Sequence, residues 1–131
     1  MQLYDAANYL IAASIRNGKI GTAIEAAKLA KRSLTNDEIT KLIDACVTKG
    51  WLNDALESAK LAHRTLTLEE INKLVNACLI DARASTALEA VKLAKRSLTL
   101  EEIIKLIDAF ALRNQFNDAL ESLKLLQVIP A

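Results

Sequence analysis

Apolar residues recur along the chain at intervals of three and four. Ile39, Leu42, Ile43 and Cys46 mark one face, and Ile71, Leu74, Val75 and Cys78 mark the same face one period of 32 residues later. This i, i+3, i+4, i+7 spacing belongs to amphipathic α-helices. The polar positions keep the same register. Thr35, Thr67 and Thr99 each precede a glutamate by three residues, at Glu38, Glu70 and Glu102. That is a capping box, in which hydroxyl and carboxylate satisfy free amides of a first helical turn, and Leu34/Ile39, Leu66/Ile71 and Leu98/Ile103 occupy the flanking hydrophobic-staple positions.

The whole chain follows that period. Residues 23–54, 55–86 and 87–118 align without gaps, with 15, 16 and 20 of 32 positions shared between first and second, second and third, and first and third. The higher similarity of alternate units hints at duplication of a two-unit block. Repeats of this size bury their apolar faces only against their neighbours. The pattern predicts an all-α, right-handed α-solenoid of four antiparallel helical hairpins in a single domain, with units at about 3–34, 35–66, 67–98 and 99–131. Predicted helices span 4–17, 21–32, 36–49, 53–64, 68–82, 85–96, 100–113 and 117–127. Second helices are expected to start on Gly21, Asn53, Ser85 and Asn117 as N-caps. They are expected to end on the cations Lys31-Arg32, His63-Arg64 and Lys95-Arg96, which complement the helix dipole. Alanines at 27, 30, 59, 62 and 94 keep these helices thin.

The run KLIDACVTKGWLNDALESAKLA resembles a tetratricopeptide or pentatricopeptide unit: a hydrophobic first helix, a Gly-containing turn and an Ala-Leu second helix. The likeness extends over nearly the entire chain, although the 32-residue period is short for either family. It implies a superhelical binding scaffold, and the pentatricopeptide side of it implies single-stranded RNA read base by base. The family's leading base-reading position maps onto Lys41, Lys73 and Lys105, and its second onto Leu68 and Leu100. Identical lysines followed by leucines carry no base information.

Charge points the same way. The chain of 131 residues has 17 Lys plus Arg against 16 Asp plus Glu, and each complete unit is neutral. A phosphate-tracking protein would gather positive charge along one face. Nucleic acid is therefore not the expected partner, and no stretch is long and apolar enough for a membrane span. The first twenty residues lack the basic start of a secretory leader, and the two cysteines make no disulfide framework, so a reducing cytoplasm is expected.

Candidate chemistry is sparse. Cys46 and Cys78 share one repeat position with Ser14 and Phe110, which marks it as core and the thiols as structural. His63 replaces Lys31 and Lys95 as a surface cation. The chain has no Gly-rich phosphate loop, metalloprotease motif or nucleophile elbow, so neither an enzyme nor a cofactor is expected. What recurs is a ladder on the first helices: Tyr9, Lys41, Lys73 and Lys105, with Ala12, Asp44, Asn76 and Asp108 one turn on. Its functional reading is a mixed-charge groove for a protein or peptide, with Tyr9, Lys41, Asp44, Lys73, Asn76, Lys105 and Asp108 as contacts. Its bland reading is a solvated face braced by Glu38–Lys41, Glu70–Lys73 and Glu102–Lys105 pairs. Trp51, aligned with polar turn residues, is either a partner anchor or a lid over Leu52 or Leu56 of its own hairpin. At the last hairpin, Leu123 and Leu126 replace small residues, so with Val128 and Ile129 they either fold over the open end of a monomer or pair two molecules. A ligand-free structural or designed scaffold is the third reading, although the irregular Cys46, Trp51 and His63 favour a natural sequence.

Overall fold

The computed structural model describes residues 2–125, apart from the side chain of Gln2. Eight helices account for most of these residues: α1 (Gln2–Arg16), α2 (Ile20–Leu29), α3 (Asn36–Thr48), α4 (Leu52–Leu61), α5 (Leu68–Ile80), α6 (Ala84–Leu93), α7 (Leu100–Leu112) and α8 (Phe116–Lys124). There is no strand among the described residues. Each odd-numbered helix packs on the even-numbered helix that follows it, giving the four expected hairpins. The hairpins fall into two compact units, residues 1–67 and 68–131. In the first unit α1 packs beside α3, and in the second α5 packs beside α7.

Both cores use the predicted face. Ile11, Leu42, Ile43 and Cys46 are fully buried in the first unit, as are Leu74, Val75, Cys78 and Leu106 in the second. Each large aliphatic side chain so buried is worth about 1.5–3 kcal/mol against leaving it exposed. Ala23, Ala55 and Ala87, all wholly buried, stand at equivalent places on α2, α4 and α6. Ala27 and Ala59 are buried as well, whereas Ala30, Ala62 and Ala94 are C-cap residues.

The starts of α3, α5 and α7 are as predicted, whereas α1 begins two residues early, at Gln2. Glu38 N–H donates to Thr35 Oγ1 at 3.1 Å and Thr35 N–H donates to Glu38 Oε1 at 2.9 Å, with the same reciprocal pair at Thr99 and Glu102. The second-helix boundaries require correction. Their N-caps are Lys19, Trp51, Arg83 and Gln115, none making a side-chain cap, and Gly21, Asn53, Ser85 and Asn117 lie inside the first turn. The reason lies in the preceding helix. At its end Gly18 (φ +67°) donates to the Ile15 carbonyl and Lys19 donates to the Ser14 carbonyl. Gly50/Trp51, Ala82/Arg83 and Asn114/Gln115 repeat that pairing, which is the Schellman closure of a helix. The last residue of the closure is the N-cap of the next helix, so backbone geometry sets both boundaries.

Helices α2, α4 and α6 end the same way, about three residues short of prediction. Lys31, His63 and Lys95 adopt left-handed φ of 56°, 56° and 57° just past the helix. Arg32, Arg64 and Arg96 then donate their backbone N–H groups to the Ala27, Ala59 and Val91 carbonyls. The cations are therefore the closing turn itself, carried by residues that lack glycine's freedom.

Candidate interaction surface

The exposed side of the first helices is a stripe at i, i+4, i+7 and i+11. On α3 it is Asp37, Lys41, Asp44 and Thr48, and on α1 it is Asp5, Tyr9, Ala12 and Arg16, all exposed. On α5 it is Glu69, Lys73, Asn76 and Ile80, and on α7 Glu101, Lys105, Asp108 and Leu112, again all exposed. The seven ladder residues predicted from sequence thus all reach solvent on helices that pack side by side within each unit. Tyr9 is the more open of the two tyrosines, at 78%.

The bracing pairs differ from expectation. Lys41 Nζ lies 3.3 Å from Asp37 and Lys73 Nζ 3.5 Å from Glu69, both at i,i+4. Glu38 and Glu102 are committed elsewhere. Arg32 donates from both terminal nitrogens to the two Glu38 oxygens at 2.9 Å and from Nε to Asn8 Oδ1 at 3.1 Å. Arg96 repeats the fork on Glu102 at 2.8 and 2.9 Å and reaches Asn72 at 3.1 Å. Each arginine also donates to the carbonyl of the next residue, Ser33 or Ser97. One guanidinium thereby ties the link between hairpins to the first turn of the following helix. The Arg32 hydrogen bond, helped by the Thr35 amide, holds Glu38 down at about 2. At Glu102 burial pushes upward, but the Arg96 and Thr99 hydrogen bonds together outweigh it and keep the carboxyl low. Each of these arginine charges is thereby matched by a carboxylate. The signal available in the sequence was the identical Arg–Glu spacing in all three links, at 32/38, 64/70 and 96/102.

Two apolar residues were missed. Ile80 and Leu112 end the stripes of α5 and α7 and are 62% and 87% exposed. Their counterparts on α1 and α3, Arg16 and Thr48, are polar. Periodicity alone could have found them, because they lie on the solvent face of an otherwise regular pattern.

The thiols are not reactive groups. Cys46 and Cys78 form no disulfide and are fully buried, and Cys46 Sγ donates to the Gly18 carbonyl at 3.6 Å. Burial, with Asp54 adding to it, pushes Cys46 up to about 11, and burial likewise raises Cys78. Among the described residues no three His, Cys, Asp or Glu side chains stand together as metal ligands would.

Trp51 is half-buried and reaches beyond its own hairpin. Its ring lies against Gly18, where an added β-carbon would sit 3.1 Å from Cζ3. Lys19 Nζ and Lys49 Nζ stand 5.1 and 5.2 Å from the ring centroid, within cation–π range. Two further hollows lie in equivalent places, one per unit: about 300 Å³ over Ala27 and about 180 Å³ over Val91. Leu123, at the position of Ala27 and Ala59, is 48% exposed, while Leu126, Val128 and Ile129 lie outside the described residues.

Compared with known proteins, the chain matches no family model and no curated protein. Among the described residues no helix is long and apolar enough to cross a membrane.

Proposed function

We propose that the chain is a non-enzymatic, cytoplasmic scaffold that binds a protein or peptide along its first-helix face, in the manner of tetratricopeptide-like hairpin repeats. The observation that carries this reading is the surface of α5 and α7. Leu112 and Ile80 project into solvent beside the Asn76/Asp108 and Lys73/Lys105 rows on two adjacent helices. Exposed aliphatic groups next to ordered charges suit a peptide that inserts an apolar side chain and pairs its polar ones. The pairing of Lys41 and Lys73 with carboxylates on their own helices disfavours a phosphate track.

The test begins with a peptide selected from a displayed library on the intact chain. Its affinity, measured by calorimetry, should fall at least about tenfold with Ile80→Ser plus Leu112→Ser. Replacing Lys41, Lys73 and Lys105 by alanine should weaken it further, with the helical circular dichroism unchanged. Undiminished binding in both variants would mean that the wrong surface has been chosen.

A further inference from the structure

The Trp51 cluster is built once in the chain, although the place it occupies occurs in both units. In the first unit a cup of about 380 Å³ is lined by Gly18, Lys19, Gly21, Thr22, Trp51 and Asp54. The equivalent cup in the second unit, about 560 Å³, has Ala82 for Gly18, Ser85 for Gly21 and Gln115 for Trp51. Charge separates the two more sharply. Segments 16–22 and 48–54 carry the cations Arg16, Lys19 and Lys49 against one carboxylate, Asp54. Segments 80–86 and 112–118 carry Arg83 and Arg113 against Asp81 and Asp118. There Asp81 takes up both arginines, at 2.8 Å from Arg83 and 4.0 Å from Arg113. In the first unit the two ammonium groups instead share one indole ring, which attracts them without neutralising either. An anion entering the cup would meet Lys19 in its wall and feel Lys49 at the same ring, and an aliphatic group beside that anion would find the exposed part of the indole.

We propose that this cup binds an acidic peptide segment in which a carboxylate neighbours an aliphatic side chain. The proposal takes the class of partner from the peptide-binding reading above, but it concerns a different surface. Nucleic acid fits less well. A strand needs a continued basic groove with several stacking rings, whereas this is a single ring at one turn in a chain whose complete repeat units are neutral.

Trp51 is the chain's sole tryptophan, so its emission reports on the cup directly. The probe is an end-blocked peptide of about twelve residues repeating Glu-Leu-Gly, titrated against the intact chain at low salt. Saturable change in emission is expected, with affinity reduced at least about tenfold in Lys19→Gln plus Lys49→Gln and at about 0.5 M salt. The same peptide with Lys for Glu should leave the emission unmoved. The Lys41, Lys73, Lys105 triple variant should bind the Glu peptide as the unaltered chain does. Absence of any saturable change overturns the proposal, as does equal affinity in the double variant. Tighter, Lys19- and Lys49-dependent binding of an oligothymidylate also overturns it, in favour of nucleic acid. Loss of Glu-peptide binding in the triple variant alone refutes the cup while sparing the first-helix face. Failure of the Ile80 and Leu112 changes to weaken a selected peptide refutes that face and leaves the cup standing.

Discussion

Ala82 holds φ at +57° in a turn where the two preceding hairpins place Gly18 and Gly50. A β-carbon in this region crowds the adjacent carbonyl by about 1–2 kcal/mol, partly offset by the smaller entropy that alanine loses on folding. Ala82→Gly should therefore raise stability by about 0.5–1 kcal/mol in urea unfolding, and Gly50→Ala should lower it by a similar amount. A fall in stability on the Ala82→Gly change would show that the turn is not strained. Lys31, His63 and Lys95 carry the same left-handed backbone, so the device recurs at the ends of α2, α4 and α6. Nothing in the side chains announces it. Lysine and histidine gave a dipole argument instead, and that argument carried the predicted helices about three residues too far.

At the scale of the element, the links between hairpins are governed by the Arg32–Glu38 and Arg96–Glu102 forks. Glu38 is held at about 2 against an ordinary 4.5. A carboxyl depressed by folding stabilises the folded state above its unfolded value and loses that effect as the pH falls towards the folded one. The contribution is thus complete above about pH 4.5 and drains between there and about pH 2. Allowing for solvent at the rim, it amounts to about 1–2 kcal/mol. Urea unfolding at pH 7, 4 and 2.5 should show a shallower acid decline in Glu38→Gln, which starts less stable at pH 7. Parallel declines in the two proteins would rule the fork out as its source. First helices were legible in the sequence because their caps are side chains, Thr35 and Glu38 or Thr99 and Glu102. Second helices were placed less well because they begin on backbone geometry, at Lys19, Trp51, Arg83 and Gln115, whose side chains do no capping. Of the surface, the ladder was legible as repetition and proved exposed. Ile80 and Leu112 lie on the same periodic face, but as apolar residues they break its run of matching charges.

Over the molecule as a whole, burial is divided between two units that each own a core. Leu42 and Leu106 are fully buried equivalents in different units. Truncating either to alanine should cost about 2–5 kcal/mol. The two residues belong to different units, so the double change should cost the sum within about 0.5 kcal/mol. A coupling beyond that range would show that the two cores do not act separately. The turn geometry also governs how such a chain can vary. Lys19, Trp51, Arg83 and Gln115 each finish one helix and start the next. One residue inserted there would part the two duties, so that the closure of one helix would no longer end on the start of the next. Length is quantised in this architecture: related chains should gain or lose whole copies, and slippage by a few codons within a turn should be found only where the fold has been lost.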